Sequence, residues 1–332
     1  MKKGAKERRR RCSKNCPSSS ALPPVVLKHY TSPQTPPLKP KRIAQMVVYP
    51  PTPYDSVIQQ QKIKEFDCRE PEHEHMYLVE QIEQLQLQEQ KNPPTGPYLS
   101  SMNTDITPST RSVITDYMVR VCQNFKLSDN TLFLAINVMD RFLATERPHM
   151  VSKDKLHIIS LTSILIASKY NDVNVPSVDQ IVKDCEHDRE DILCLETIIL
   201  NTLRFTLSVA TPSLFLQLYF QFWECDSLIK VMSQFVCEVA TQDYGSLLYY
   251  PSDIAYSSIH LCKYIHAVHK GMRHDAESFR SCVSRCVLHL VDCVFKMSKT
   301  RLTGTMKKYS TEEPFNVVQV VTNTVNFIRL AS

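Results

Sequence analysis

Glu196 is a carboxylate placed among apolar side chains, which makes it the first candidate for chemistry in this chain. Residues 188–205 show helical spacing, with a predicted apolar stripe of Ile192, Leu193, Ile199, Leu200 and Leu203. Glu196 falls inside that stripe. A carboxylate there must be paired, hydrogen-bonded or left at the lip of a groove. Lys169, at the end of a very apolar predicted helix, is the nearest plausible partner, so the two residues predict a docking site.

Clusters of cysteine and histidine are the other candidates, and they favour packing over metal binding. Cys282, Cys286, His289 and Cys293 share one helical face, but eleven residues of helix rise roughly 16 Å, too far for ligands that must converge on one ion. Core packing is therefore the default there, and no metal site is predicted. The group Cys68, His73 and His75 lacks an obvious fourth ligand.

The remaining cysteines indicate free thiols in a reducing compartment. The chain has twelve cysteines, but no apolar signal segment follows its basic N-terminus, which argues against export. Cys122, Cys194, Cys237 and Cys262 lie in helical stripes, where a thiol packs as a small apolar group. No serine, histidine and aspartate set or cysteine and histidine set stands out as catalytic.

Composition excludes a nucleotide-binding α/β enzyme and separates a basic tail from an acidic body. The five glycines cannot form a phosphate-binding loop. Residues 1–50 hold twelve lysines and arginines against one glutamate, so the rest of the chain is net acidic although the total is +5. Nucleic-acid binding is therefore excluded on charge for the body and left open for the tail.

The first 70 residues are predicted to be a disordered, basic, proline-rich tail. Fourteen of the twenty prolines fall in the first 100 residues, mixed with Ser, Thr, Lys and Arg. Arg8–Arg11 is a candidate nuclear-import signal, with a solubilising or anion-binding tail as the equal alternative. Ser32, Thr35 and Thr52 each precede proline and are candidate sites for a proline-directed kinase.

An internal repeat sets the prediction of fold. Thr107-Pro108-Ser109 recurs as Thr211-Pro212-Ser213, and each precedes a helical pattern that Thr can cap and Pro can begin. A second pair of prolines, Pro148 and Pro251, repeats at nearly the same offset, so two similar units of roughly 100 residues are expected.

Each repeat is predicted to hold five helices. In the first, the third helix is uncharged from Leu156 to Ser168 apart from His157, so the other four should enclose it. It is too short to span a bilayer. Residues 72–91 add an N-terminal helix whose narrow stripe of Leu78, Ile82 and Leu85 could pack on the body. The helices predicted in the two repeats are 109–125, 129–145, 153–170, 177–185 and 188–204, then 212–223, 227–242, 252–268, 275–283 and 286–299.

Three strings then resemble the cyclins, most closely the cell-cycle A/B/E group. They are Thr110–Tyr117 (TRSVITDY), Asn137–Leu143 (NVMDRFL) and Ala167–Tyr170 (ASKY). The resemblance covers about 105–310 and implies an all-α fold of two tandem five-helix cyclin boxes, at 105–208 and 209–330. The first box carries the more specific likeness.

The resemblance gives roles to several residues. In cyclins, the lysine and glutamate that match Lys169 and Glu196 contact the partner kinase beside its regulatory C helix and hold that helix inward. Tyr170 and Phe205 match apolar positions that face the kinase, with ordinary core aromatics as the alternative. Arg111 and Asp140 match an internal salt bridge.

A patch on the first helix of the box departs from the family. In many cyclins it binds Arg-x-Leu motifs, and an acidic residue there pairs with the basic motif. Arg120 replaces that acidic residue, so a weakened patch, or one that prefers an apolar motif without a basic residue, is expected. The other matching positions are Thr110, Val113, Ile114, Tyr117, Leu156 and His157.

The sequence therefore predicts a non-enzymatic regulatory subunit, without a cofactor, that binds and activates a cyclin-dependent kinase and controls cell-cycle progression, including mitosis. It is expected in the nucleus and cytoplasm. The usual destruction signals are missing from residues 1–100, which puts a strict B-type assignment in doubt. The alternative is a general transcription factor with tandem cyclin-like repeats, which the acidic body and the lack of a Cys-x-x-Cys zinc ribbon disfavour.

Overall fold

Helices make up all the regular structure in the part of the chain that the computed structural model describes. The predicted tail (1–70), with Arg8–Arg11, Cys68 and the three candidate phosphorylation sites, lies outside that part. So does most of the predicted helix 275–283. The described residues are 73–101, 105–145, 152–183, 187–271, 283–300, 302–310 and 316–330.

Twelve α-helices and three short 3₁₀ segments follow one another among these residues. The 3₁₀ segments are Tyr98–Ser101, Lys153–Lys155 and Tyr244–Leu248. The α-helices are α1 His73–Lys91, α2 Pro108–Asn124, α3 Asp129–Leu143, α4 Leu156–Asn171, α5 Val178–Val182, α6 Arg189–Thr202, α7 Pro212–Phe222, α8 Ser227–Gln242, α9 Pro251–His269, α10 Arg285–Lys299, α11 Gly304–Ser310 and α12 Val317–Leu330.

The repeated Thr-Pro-Ser segments begin α2 and α7, but their threonines behave differently. Thr107 caps α2, because its Oγ1 accepts a hydrogen bond of 3.1 Å from the Thr110 backbone N–H. Thr211 makes no such bond, and its buried hydroxyl has no hydrogen-bond partner. In both helices, proline occupies the first turn, where its missing N–H costs nothing. The prediction of a side-chain cap was therefore right for α2 and wrong for α7.

Helix α4 is the buried centre of the first box, as its sequence predicts. Every side chain from Leu156 to Ser168 is buried except His157, which is partly exposed. The hydroxyls inside this helix donate to its own backbone: Thr162 to the carbonyl of Ile158 and Ser163 to that of Ile159, each at 2.8 Å. Helices α2, α3 and α6 pack around it. This core fixes the position of the two surface residues that follow it, Lys169 and Tyr170.

The second box has its own core and two helices that the sequence analysis did not assign. Helices α7, α8, α9 and α10 form this core together with α11 and α12. In α12, Val321, Val325 and Ile328 are fully buried at the spacing of one helical face. The box was expected to reach 330, but the five helices predicted for it ended at 299 and were therefore an incomplete set.

Helix α1 packs against the second box. Leu78 and Ile82 of its predicted stripe are buried, and Leu85 contacts the same core. Near its end, Glu89 accepts hydrogen bonds from the Ser252 backbone N–H (3.1 Å) and hydroxyl (2.7 Å). A carboxylate at the first turn of α9 satisfies donors that have no partner within that helix.

Three of the four cysteines expected inside helical stripes are buried, and one is not. Cys122, Cys237 and Cys262 are buried, and burial raises the pKa of each thiol to about 12. Cys194 is exposed, because α6 covers the core with only one side of its surface. Among the described helices, none has both the length and the apolar character that a membrane crossing requires.

Candidate docking site on the first box

Lys169 and Glu196 form an ion pair at the surface of the first box. The Lys169 ammonium lies 2.7 Å from Oε1 and 2.8 Å from Oε2 of the carboxylate. The lysine side chain is 45% exposed and that of the glutamate 13%. Of the three possibilities left open for the carboxylate, the structure shows pairing, with Lys169 as the expected partner, and the site is open to solvent through the lysine.

The ion pair keeps the capacity to bind further groups. An ammonium has three donors, and a carboxylate accepts at about four lone-pair positions. Each carboxylate oxygen uses one position for Lys169, so further positions are free by geometry to accept from backbone N–H groups. A backbone carbonyl can in turn accept from the ammonium. The pair is thus able to recognise an extended stretch of main chain.

Two anchored helices hold the pair in place. Lys169 lies in the last turn of α4, where its charge also complements the helix dipole. Directly after α4, the carboxylate of Asp172 accepts hydrogen bonds from the Ser128 backbone N–H (3.1 Å) and the Thr131 hydroxyl (2.6 Å) at the start of α3. Glu196 is carried by α6, which packs on α4. Neither residue depends on a mobile loop for its position.

The predicted apolar stripe of α6 is narrower than the sequence suggests. Ile192, Ile199 and Leu203 are buried, but Leu193 is exposed and Leu200 only partly covered. Glu196 therefore lies at the edge of the stripe and not inside it. Leu193 was predicted as part of this apolar stripe but is not covered, because helical spacing does not report how wide a face the neighbouring helices cover.

Exposed apolar side chains lie on the same segments as the ion pair. Tyr170, next to Lys169, is 52% exposed, and Phe205, just beyond α6, is 65% exposed. The alternative that these are ordinary core aromatics does not hold. Val173, Val175 and Leu193 are also exposed on these segments, and the sequence analysis did not identify them. For the two valines, the only signal in the sequence was their place in a loop directly after the buried helix, and Leu193 was known only as a member of the α6 stripe.

The turn that carries Phe205 is held in an uncommon backbone conformation. Arg204 (φ 53°) and Phe205 (φ 55°) are both left-handed, which costs a non-glycine residue roughly 1–2 kcal/mol. The Phe205 N–H donates to the Leu200 carbonyl at 2.9 Å, and Arg141 donates to the Thr206 carbonyl at 2.8 Å. A left-handed residue also follows α2 (Lys126) and α7 (Glu224), so the conformation is a common helix ending in this chain. Its consequence here is that the Phe205 side chain faces solvent.

Arg111 and Asp140 form a buried ion pair that joins the two boxes. The guanidinium contacts the Asp140 carboxylate at 2.7 Å and 2.6 Å, and Tyr98 donates to the same carboxylate at 2.8 Å. Arg111 also donates to the carbonyls of Thr241 (3.1 Å) and Gln242 (3.3 Å) at the end of α8. Both charged residues are buried, so their role is architectural.

Electrostatics keep this pair charged. Burial alone would lower the pKa of Arg111, but the Asp140 carboxylate outweighs that effect and raises the pKa. Burial and the nearby carboxylate both raise the pKa of Tyr98, which therefore remains a hydrogen-bond donor. A network with every member paired fixes the geometry of the two boxes.

The first-helix patch is only partly exposed. Val113 is exposed, Thr110 and Tyr117 are half-buried, and Ile114 and Leu156 are buried beneath them. The Tyr117 ring lies 4.9 Å from that of the half-buried His157. Arg120 is exposed, 3.5 Å from Asp116 and 5.9 Å from the Tyr117 ring centre. The apolar floor is present, and a cation lies beside it.

Comparison with known proteins identifies both boxes. The model of the cyclin N-terminal domain matches residues 80–208, and that of the cyclin C-terminal domain matches residues 210–323. Together the two matches cover most of the chain.

Plant cyclins are among the similar curated proteins. Cyclin-B2-2 of Oryza sativa subsp. indica is 33% identical over 64% of this chain and 52% of its own length. Cyclin-A2-1 of Arabidopsis thaliana is 25% identical over 77% of this chain and 59% of its own length. The chain thus spans about half the length of the curated relatives it matches.

Solved structures share the fold at low identity. A viral cyclin from herpesvirus saimiri has a TM-score of 0.50 at 17% identity, over 74% of this chain and 96% of the viral one. A chain of the yeast RNA Pol II CTD kinase CTDK-1 complex has a TM-score of 0.51 at 10% identity, over 70% of this chain and 80% of the yeast one. With both domain models matched in order and the all-helical architecture in place, this chain belongs to the cyclin family.

Proposed function

We propose that this chain is a regulatory subunit that binds and activates a cyclin-dependent kinase, and that it does so through the surface around Lys169 and Glu196. The single observation that carries the proposal is the partly exposed ion pair, which lies on the same segments as exposed apolar side chains. The family membership supports it, and so does the likeness in fold to a chain of a kinase complex.

Polar and apolar groups contribute differently to the proposed docking. A stable complex buries about 1,200–2,000 Å² in total, far more than one ion pair covers. The apolar residues around the pair supply much of this area, since fully burying one such side chain contributes about 1.5–3 kcal/mol. The Lys169–Glu196 pair sets register by bonding to the partner's main chain. These apolar residues are Tyr170, Val173, Val175, Leu193 and Phe205.

Activation follows from placing a fixed surface against a movable helix. The kinase helix that carries the glutamate of the Lys–Glu pair must be inward before phosphoryl transfer can proceed. A partner that binds the inward state more tightly shifts the equilibrium toward it. The chain supplies this binding energy and no catalytic group of its own, so we propose that it is not an enzyme.

The cellular setting is proposed from the sequence and the relatives. The likeness to B2-type and A-type cyclins favours a role in cell-cycle progression. The basic run Arg8–Arg11 favours nuclear entry, so residence in both nucleus and cytoplasm is proposed. Deleting residues 1–50 in a fluorescent fusion should then reduce its nuclear fraction, and an unchanged distribution would contradict this part of the proposal.

Single substitutions in the ion pair test the proposed docking. Lys169→Ala and Glu196→Ala should each abolish co-purification and activation of purified cyclin-dependent kinases, measured by phosphorylation of a Ser-Pro peptide. Helical circular dichroism should be retained. The matched control is Asp292→Ala, which removes an exposed ion pair with Arg329 (2.9 Å) in the second box and should leave activation unchanged. Activation that survives both docking substitutions, or unfolding of both variants, would contradict the proposal.

A further inference from the structure

Three side chains of different chemistry converge in the second box, away from any residue assigned to docking. They are Asp243, His289 and Cys293, and one ligand atom from each lies within 4.8 Å of the other two. His289 Nε2 is 3.3 Å from Cys293 Sγ and 3.7 Å from Asp243 Oδ2. Carboxylate, imidazole and thiolate are the three ligand types that zinc uses in proteins.

The spacing of these atoms suits a tetrahedral ion. Bonds of about 2.0–2.3 Å at tetrahedral angles put neighbouring ligand atoms about 3.3–3.8 Å apart. The two distances from His289 Nε2 match that separation, and the third pair of ligand atoms, from Asp243 and Cys293, lies within 4.8 Å. His289 and Cys293 are four residues apart on α10, so one helical face presents both.

The turn after α8 brings the carboxylate to this face. Asp243 follows α8, and its Oδ2 accepts a 2.9 Å hydrogen bond from the Gly245 N–H. A Cβ at position 245 would lie 2.9 Å from Asp243 Oδ2 and 3.0 Å from His289 Cε1, so only glycine allows this close approach. The Tyr249 ring stacks on His289 with centres 5.0 Å apart and fixes its plane.

We propose that Asp243, His289 and Cys293 form a metal site for a transition-metal dication, with zinc as the physiological ion. The fourth position is left for water or for the Ser246 hydroxyl, which lies 2.9 Å from His289 Nε2. On binding, the Cys293 thiol releases its proton to solvent and its sulfur binds the ion. His289 binds through the lone pair of its neutral ring, and Asp243 as the carboxylate. The ion gains three protein ligands with no change in oxidation state.

The site differs from the cysteine cluster rejected in the sequence analysis. That group of four was spread over eleven residues of a predicted helix and could not converge. Cys282 lies outside the described residues, and the objection still applies to Cys286. The proposed site keeps His289 and Cys293 and takes Asp243 from a segment 46 residues earlier in the chain. A bound ion would clamp the Tyr244–Leu248 turn to α10 and stabilise the second box by mass action.

One neighbouring cation works against the ion. Lys296 Nζ lies 3.3 Å from Asp243 Oδ1, so the lysine and the metal compete for the same carboxylate. Removing this charge should therefore strengthen metal binding. A cluster that serves only as an internal hydrogen-bond network gives no such gain, which makes Lys296 the most informative position for a test.

Cobalt(II) titration of the full chain, stripped with a chelator and kept under a non-thiol reductant, tests the proposal. Cobalt reports a bound thiolate by a near-ultraviolet charge-transfer band and tetrahedral geometry by visible bands. The wild type should bind one equivalent with both signals. Cys293→Ala should lose that equivalent and its charge-transfer signal. Asp243→Asn, on the partly exposed turn, should weaken binding at least tenfold even if the cysteine variant fails to fold.

Two further variants complete the cobalt titration: a control that should change nothing and a variant that should bind more tightly. Cys286→Ala removes a buried thiol from the same helix and should leave the spectrum unchanged. Lys296→Met should raise cobalt affinity about tenfold, as expected for removing a like charge a few ångströms from the ion. The proposal is overturned if the spectrum survives Cys293→Ala, if no tetrahedral signal appears, or if Lys296→Met leaves the affinity unchanged.

Discussion

Reversing the Lys169–Glu196 pair separates docking from internal structure. The double variant Lys169→Glu, Glu196→Lys exchanges the two opposite charges between positions whose side chains are 2.7–2.8 Å apart in the wild type. A pair that is open to solvent on its lysine side contributes about 0.2–1 kcal/mol to stability, so the single and double variants should lose little free energy of unfolding. A carboxylate at the end of α4 opposes the helix dipole and costs a further 0.3–1 kcal/mol or so.

These magnitudes predict a small change in folding and a large change in binding. At roughly 2–4 °C per kcal/mol for a body of this size, Tm should fall by less than about 8 °C. Truncating one partner of a hydrogen-bonded charge pair at an interface costs about 2–5 kcal/mol. The single alanine variants should therefore raise the Kd for the kinase about 30-fold to several thousand-fold.

The assay is isothermal titration of a purified cyclin-dependent kinase, with Tm measured on the same samples. The double reversal should bind as poorly as the single variants. N–H groups of the partner's main chain would then face an ammonium, and its carbonyl groups would face a carboxylate. Recovery of wild-type affinity in the double variant would refute the reasoning, since the pair would then matter only to its own fold.

Three further predictions concern the turn at Phe205, the buried pair that joins the two boxes, and the first-helix patch. Phe205→Gly should lower the affinity for the kinase and leave Tm unchanged or raised, because glycine relieves the left-handed backbone strain and the lost side chain is mostly exposed. A lower Tm with intact kinase binding would contradict this prediction. Asp140→Ala should lower the free energy of unfolding by about 3–5 kcal/mol and Tm by roughly 6–20 °C, because it leaves the buried Arg111 charge unpaired. The control Asp179→Ala, which breaks an exposed pair with Arg189, should lower Tm by less than about 4 °C. For the first-helix patch, Arg120→Glu should strengthen binding of an Arg-x-Leu peptide in fluorescence polarisation, and tight wild-type binding that Val113→Asp abolishes would show that the patch is already active.

The sequence predicted the centre of the first box and the pairing at its surface. An uncharged run of thirteen residues can only be enclosed, so α4 was identifiable without coordinates. Glu196 stood out as a break in an apolar pattern, and Lys169, 27 residues earlier, was its nearest cation at a helix end. Both inferences rest on the free-energy cost of burying an unpaired polar group, which is the same physical effect in every protein.

Other features depend on packing that no local pattern records. Leu193 and Cys194 were assigned to helical stripes but are exposed, because periodicity gives a direction and not the width of the covered face. Helix α12 is rich in valine and threonine, whose local preference is for strands, and it is helical because Val321, Val325 and Ile328 pack in the core of the second box. The approach of Asp243 to His289 follows from the turn after α8 and leaves no local sequence pattern.

Hydrogen exchange of the chain alone and in complex with a cyclin-dependent kinase is the most direct test of the docking surface. Peptides covering residues 169–175 and 193–206 should become protected in the complex, while those of α10 and α12 in the second box should exchange as before. Protection confined to the second box, with the segments around Lys169 and Glu196 unchanged, would contradict the account.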